Sequence, residues 1–415
     1  MIKRITTSIV VLYSMFSFAQ QSTSSPYSYF GIGETKFKGT PEQRAMGGLG
    51  ILPDSIHLNL LNPASYSTLK LTAISVSGGT TFNKMSSDQE SETARRTSLD
   101  YLAVGIPMGK FGAVLGLNPQ TAVGYKIQTT SQDNTTTNRS TGEGGSNRVF
   151  VGGAYQITPK LSFGFDANYN FGVIETTNDI YLTSTLYSSR VRNNLDLSAF
   201  NFNLGLMYRT KVKEKYNMYA SATYSPSYNI DITRNKNAGT LIPTNSGYVY
   251  DDYIEFPEEK ESYKMPNRIS FGAGIGELRK WLVGAEIAHT GKSPFDTPLS
   301  GGTATLSNKN ATRFSLGGYY IPKYNSFTNY FHRVTYRAGF RYENTGLVIN
   351  NQTINDMGVS AGLGLPVGNG FSDLTFAFEY GQRGTKSAGL VQENYFNINI
   401  GLTITDRWFR KFLYD

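Results

Sequence analysis

The sequence predicts an all-β fold: a fourteen-stranded antiparallel transmembrane β-barrel whose N-terminal segment fills the lumen as a plug. Three observations predict it. From Leu71 to Ile404, apolar and polar residues alternate in segments of about 10 to 20 residues, as strands with one face to lipid and one to a polar lumen require. The connections between segments alternate short and long, which matches tight turns at one end of a barrel and larger loops at the other. The residues before Leu71 do not alternate, so they read as a separate element.

The chain ends set the boundaries. Lys3 and Arg4 precede a mostly apolar stretch, Ile5 to Phe18, and Ser17 and Ala19 stand at −3 and −1 of a cleavage site before Gln20. Residues 1–19 therefore read as a secretory signal peptide. Their apolar stretch is broken by Thr6, Thr7, Ser8 and Ser14 and is shorter than the ~20 apolar residues that span a bilayer. Residues 20–70 are the plug, 71–405 the barrel and 406–415 a periplasmic C-terminal tail.

Strands are expected to start near Leu71, Ser98, Phe111, Asn147, Leu161, Asp196, Tyr216, Asn267, Trp281, Asn310, His332, Asn355, Phe371 and Glu393. Parity supports them. Leu161, Phe163, Phe165, Ala167, Tyr169 and Phe171 alternate with Ser162, Gly164, Asp166, Asn168 and Asn170. Val334, Tyr336, Ala338, Phe340 and Tyr342 alternate with Arg333, Thr335, Arg337, Gly339, Arg341 and Glu343. Lysine at lipid-facing Phe340 should be costly, and serine at lumen-facing Gly339 mild. An even strand number returns the chain to its starting side. Asn83–Thr97, Thr129–Ser146, Ser184–Leu195 and Thr233–Pro266 read as long outer loops; Met108–Lys110, Thr158–Lys160, Lys211–Lys215 and Glu277–Lys280 read as short periplasmic turns. Pro322–Phe331 is long on the short side.

Composition fits a barrel in the bacterial outer membrane. The mean hydropathy of −0.32 does not argue against a membrane, because only alternate strand residues face lipid. Aromatics make up 13% of the chain, with 28 Tyr and 25 Phe, which suits the membrane boundaries. With no cysteine, disulfides and thiolate chemistry are excluded. The charge of +8 shows no basic stripe with interleaved aromatics, which argues against nucleic acid as a partner.

The plug segment carries Pro41-Glu-Gln-Arg44-Ala45-Met46-Gly47-Gly48, then Asp54, then Asn62-Pro63-Ala64 shortly before the first strand. Its irregular backbone has to avoid lipid, and Ile51, Leu58, Leu60, Leu61 and Leu69 need burial; an extended periplasmic tail is the other arrangement. This run resembles the N-terminal hatch of the FadL/TodX family of outer-membrane transporters for long-chain fatty acids and aromatic hydrocarbons. A second echo is Met265-Pro266-Asn267-Arg268-Ile269-Ser270, followed by Gly-rich alternation. The resemblance covers the mature chain in layout and implies a fourteen-stranded barrel with a plug. The same group includes PorV-type barrels, which carry no small molecule and serve type IX protein secretion. The mature start, Gln20–Tyr29, is polar and departs from an apolar N-terminal tip.

Asn118-Pro119-Gln120 falls inside the third strand, where proline cannot donate to a ladder and implies a kink or bulge. The resemblance implies that such a kink opens a lateral gap; a harmless bulge is the alternative. Asp166, Glu286, Arg333, Arg337, Arg341, Asp373 and Glu379 point inward by parity and read as a lumen charge network, with an anion site as the other reading.

No residue is expected to be catalytic, and no metal or cofactor is implied. Gly358-Val-Ser360-Ala-Gly362 lies in an expected strand rather than the strand-to-helix turn of a nucleophile elbow. His57, His289 and His332 show no metal-ligand spacing, and Gly47-Gly48-Leu49-Gly50 opens no βαβ unit. The tail around Arg407, Trp408 and Lys411 would meet a periplasmic partner or water. Two functions follow. One is passive outer-membrane transport of hydrophobic small molecules by lumen capture and lateral release. The other is a non-transporting accessory barrel in a protein-secretion or assembly complex. The expected partners are outer-membrane lipid with either a hydrophobic small molecule or other complex subunits.

Overall fold

Alternation along the sequence becomes a wall. The computed structural model describes residues 23–407 apart from 53, 132, 214, 246, 297–305 and 368–371. The expected signal peptide, Phe371 and the tail from Trp408 onward lie outside the described residues. The wall consists of β1 (Thr72–Ser86), β2 (Ser91–Met108), β3 (Phe111–Thr130), β4 (Thr136–Gln156), β5 (Leu161–Leu182) and β6 (Ser188–Val212). Next come β7, in two parts (Tyr216–Ser225 and Tyr228–Thr244), and β8, in three (Gly247–Glu255, Glu259–Met265 and Arg268–Glu277). Then follow β9 (Trp281–Thr290), β10 (Ala311–Tyr320), β11 (Thr335–Ile349), β12 (Gln352–Val367), β13 (Ser372–Arg383) and β14 (Gln392–Asp406). Every neighbouring pair is antiparallel. β14 closes on β1 from Gln392↔Ser86 to Asp406↔Thr72. Closure removes the unpaired edges that lipid cannot tolerate. No helix among the described residues is long and apolar enough to cross a membrane.

The faces sort by parity. On β5, Phe163, Phe165, Tyr169 and Phe171 are exposed on the outer surface, while Ser162, Asp166, Asn168 and Asn170 are buried. On β11, Phe340 and Tyr342 lie outside and Arg337 is buried. A closed barrel with this apolar outer belt is a protein of the bacterial outer membrane.

The long connections differ from expectation. β2 begins at Ser91, β4 at Thr136 and β6 at Ser188, and 233–266 is a paired hairpin rather than a loop. Alternation reports lipid on one side. Once strands pass the bilayer both faces are wet, so hairpins rich in Thr, Asn and Ser keep their ladder without an apolar signature. The connection from Ile321 to Val334 is long on the short-turn side and contains a 3-10 turn, Tyr330–His332. Arg333 therefore precedes β11 instead of lying on its lumen face, and its guanidinium stands 5.3 Å from the Tyr330 ring centroid.

The segment before β1 forms short pieces: a 3-10 turn (Pro26–Tyr29), a two-residue strand (Glu34–Thr35), a one-turn helix (Pro41–Arg44) and a second 3-10 turn (Pro63–Thr68). Pro41 suits the first helical turn, and the Thr40 amide donates to the Gln43 side chain at 2.9 Å in a capping box. Asn62 caps the second 3-10 turn by accepting the Ala64 amide at 3.0 Å. Apolar side chains hold the segment to the wall. Met46, Leu49 and Ile51 pack with Tyr219 and Leu282, and Leu58, Leu60, Tyr66 and Leu69 with Tyr101, Val114 and Phe150. Ile32 joins Val123, Leu195, Ile232 and Phe295 nearer the hairpin end. Each full burial of this kind contributes on the order of 2 kcal/mol.

Candidate functional site

The motif residues meet the inward faces of strands around the circumference. Arg44 Nη1 lies 3.1 Å from Glu379 on β13, with its guanidinium 4.6 Å from the Phe37 ring centroid. Ala45 and Met46 are fully buried. Gly47 adopts φ +69°, donates its amide to Ser360 Oγ on β12 at 3.1 Å, and lies so close to β11 that a Cβ would fall 2.5 Å from the Phe340 carbonyl oxygen. Only glycine combines that conformation with that approach. Gly48 follows with φ +85°. The Gly50 amide donates to Glu286 of β9 at 2.8 Å, and Arg313 of β10 stands 3.5 Å from the same carboxylate. Asn62 donates to the Leu206 carbonyl at 3.1 Å, and Pro63 and Ala64 rest on Gly164 and Gly205.

The contact between Gly47 and β11 corrects one expectation. Gly339 has no room for serine, because a Cβ there would lie 2.1 Å from the Gly47 nitrogen. It is a contact surface, not open lumen wall.

Charges form three groups: a network around Arg341 and Arg383, the pair Lys38–Asp166, and a bridge at His57. Arg341 reaches Glu379 at 2.8 Å, Asp356 at 3.4 Å and the Tyr395 hydroxyl at 2.7 Å. Arg383 reaches Glu34 at 2.7 Å and Asp356 at 2.9 Å. Asp166 faces Lys38 at 3.5 Å. Burial pushes Lys38 down to about 8, against the pull of Asp166. Near the short-turn end, His57 Nδ1 is 2.8 Å from Asp54 and Nε2 3.0 Å from Asp373. Burial alone would lower the His57 pKa, yet the two carboxylates outweigh it and hold the imidazole well above its usual value. Glu42, His57 and Asp373 bring potential ligand atoms within 4.8 Å of one another. Both ring nitrogens of His57 are already committed to carboxylates, which suits an imidazolium bridge. Arg337 is buried, and its guanidinium and the Asp373 carboxylate both border Gly364.

The third strand breaks step at the expected proline. The β2–β3 ladder ends at Leu102↔Leu117, and the β3–β4 register shifts between Pro119 and Thr121. Asn118 accepts from Arg148 Nε at 3.1 Å, and the Gln120 side chain donates to the Tyr228 hydroxyl at 3.3 Å. Where β2 leaves β3, the N-terminal segment takes its place: Glu34 pairs with Ala122 and Thr35 with Thr121, and the Lys36 amide donates to the Gln120 carbonyl at 2.8 Å.

Between segment and wall lies a cavity of about 600 Å³, lined by Lys38, Arg44, Arg148, Arg268, Arg313, Arg341, Arg383, Glu286, Asp356 and Glu379 among others. Parity on β12, β13 and β14 extends to Asp356, Arg383 and Tyr395, so these were within reach of the sequence. Glu34, Lys38 and the bridging role of His57 were not, since the irregular segment has no period from which to read a direction.

The whole chain, residues 1–415, matches the family model described as BamG. The chain belongs to the BamG family. No curated protein matches it. Among solved structures, the toluene transporter TodX of Pseudomonas putida is similar at 16% identity and TM-score 0.58, over 91% of this chain and 100% of that one. A FadL homologue of Pseudomonas aeruginosa matches at 11% identity and TM-score 0.59, over 92% of this chain and 100% of that one. The toluene transporter TbuX of Ralstonia pickettii matches at 17% identity and TM-score 0.56, over 89% and 99%. At these identities the likeness establishes a FadL-type fold.

Proposed function

We propose that this protein is a non-transporting accessory barrel of an outer-membrane secretion or assembly complex, with residues 23–70 as a fixed plug. The observation that carries this reading is the charge of the lumen cavity beside the strand-3 kink. Arg148, Arg268, Arg313, Arg341 and Arg383 line it together with Glu34, Glu286, Asp356 and Glu379, so a hydrophobic molecule that left lipid for it would meet charged groups beside the apolar Phe30, Ile32, Phe37 and Phe295. The kink supports the same reading, because Glu34 and Thr35 pair with β3 where a lateral exit would run. Membership of the BamG family favours it too. The ion pairs from Arg44, Lys38 and His57 to the wall, with the apolar contacts of Met46 and Leu60, tie down the plug.

Passive transport of hydrophobic compounds is the second reading. The separation of β2 from β3 above Leu102 favours it. An uptake assay separates the two. The purified barrel in proteoliposomes should take up a radiolabelled long-chain fatty acid or toluene no faster than protein-free vesicles. Saturable uptake abolished by denaturing the barrel would refute the accessory reading.

A further inference from the structure

Three neighbouring connections at the short-turn end join into one surface. They are the β6–β7 hairpin tip at 213–215, the β8–β9 turn at 278–280 and the β10–β11 connection at 321–334. Contacts between them fix the arrangement. The Tyr216 and Trp281 rings lie 6.0 Å apart, the Ile321 amide donates to the Lys280 carbonyl at 2.6 Å, and the Arg279 guanidinium stands 4.8 Å from the Tyr324 ring centroid. The third connection is itself tied down. The Lys323 amide donates to the His332 carbonyl at 2.8 Å, the Asn329 amide to Ser326 Oγ at 3.2 Å, and the Tyr330 hydroxyl to the Pro366 carbonyl of β12 at 3.1 Å. Phe327 is nonetheless fully exposed, and Phe331 and Leu278 of the same connections are 69% and 65% exposed.

The surface is strongly basic. Residues 209–216, 277–281 and 320–335 carry eight Lys and Arg against two Glu. Arg209, Lys211, Lys213, Lys215, Arg279 and Lys323 are exposed and form no ion pair with another described residue. The opposing carboxylates are few and mostly occupied. Glu277 is held by Lys280 at 3.1 Å, Asp54 inside the mouth is held by His57 at 2.8 Å, and Glu214 follows Lys213 in the sequence. Direction decides what meets this charge. Tyr216 and Trp281 share the outward parity of exposed Met218 and Val283 and mark the head-group level, and the turn tips lie beyond them. Arg209 and Lys211 share the inward parity of buried Met207, and Arg209 is paired opposite Tyr219. They therefore line the mouth of the barrel, on the side away from lipid.

We propose that this surface docks the acidic face of a periplasmic protein, with Phe327 as its apolar anchor. Short turns of an outer-membrane barrel face the periplasm. Clustered cations without acidic partners fit a carboxylate-rich surface, which speeds encounter and fixes orientation. A bare aromatic that fills a pocket on the partner supplies the hold. Inner-leaflet phosphates reach the outer side of this rim but not Arg209 and Lys211, which favours a protein over the membrane. The inference deepens the accessory-barrel reading and rests on it.

Photo-crosslinking of the full chain in native outer membranes tests this, with p-benzoylphenylalanine in place of Phe327. Illumination should give one discrete protein adduct, and peptide mass spectrometry should identify it as a periplasmic protein with an acidic surface. Lys211→Glu combined with Lys215→Glu should cut the yield about tenfold, equivalent to roughly 1.4 kcal/mol. Salt at about 1 M, where the screening length falls to roughly 3 Å, should do the same. Lys323→Glu, on another connection, serves in place of the double variant if that one does not fold. The same photoreactive group at lipid-facing Val283 should capture none of this protein. Adducts with lipid alone, a protein adduct that ignores charge reversal, or equal capture from Val283 would overturn the proposal. If Phe327 captures no protein while the barrel still co-purifies with other subunits, this surface alone is refuted. Recovery of the barrel only in isolation refutes the accessory reading as well.

Discussion

His57 of the N-terminal segment and Asp373 of β13 meet with Nε2 3.0 Å from Oδ2, while Asp54 holds the other ring nitrogen at 2.8 Å. The two carboxylates raise the His57 pKa well above 6.5. A raised folded-state pKa means that the bridge contributes its full stability below pH 6.5 and loses it as the pH climbs through the raised value. His57→Gln keeps one hydrogen bond and removes the charge. The melting midpoint of the wild type should exceed that of His57→Gln at pH 6, and the difference should shrink steadily at alkaline pH. A pH-independent difference would show that His57 is not a charged bridge.

Glu379 serves Arg44, Arg341 and Asn397 at 3.1, 2.8 and 3.1 Å. Removing one partner of a buried pair strands the other charge, at a cost of about 3–5 kcal/mol. Glu379→Leu should therefore lower stability in a denaturant titration far more than Arg192→Ala, whose pair with Glu175 is exposed. Similar small losses in both would mean that solvent reaches the Glu379 network.

Close approach between the N-terminal segment and the wall makes a contrast among glycines. A Cβ on Gly164 would sit 2.3 Å from the Pro63 carbonyl carbon, whereas on Gly153 the nearest atom lies 4.0 Å away. Gly164→Ala should cost about 1–3 kcal/mol by overpacking, and Gly153→Ala close to nothing. Gly339→Ser should behave like Gly164→Ala. Limited proteolysis should then cut residues 23–70 of Gly164→Ala faster than those of the wild type. Equal cleavage would place Asn62-Pro63-Ala64 elsewhere.

Phe340 faces outward on β11, 38% exposed. Phe340→Lys near the middle of the apolar belt should cost about 2–4 kcal/mol in a bilayer folding assay. Tolerance of the lysine would show that this face of β11 does not meet lipid.

Much of the wall was legible because lipid and lumen impose opposite chemistry on successive residues; parity alone turned Phe163 outward and Asp166 inward. The upper hairpins were not, because beyond Ile232 the residues of 233–244 are mostly half-exposed and polar and leave little to alternate. Pro119 marked one break in the wall. Pro226 marks another and carries the same signal inside Tyr224-Ser-Pro-Ser-Tyr228, within the strand expected from Tyr216, but the sequence reading drew nothing from it. The partners of His57 and Lys38 were hidden for a different reason. Their segment is irregular, and contacts between it and β13 or β5 span more than 100 residues with no local pattern to announce them.

The central claim is that this barrel works as a part of a larger outer-membrane assembly. Affinity purification of the full chain from gently solubilised outer membrane, followed by mass determination of the intact complex, tests it most directly. The account predicts recovery in fixed stoichiometry with other outer-membrane subunits, unchanged when hydrophobic substrates are added. Recovery only as an isolated barrel, together with saturable uptake of a hydrophobic compound, would contradict it.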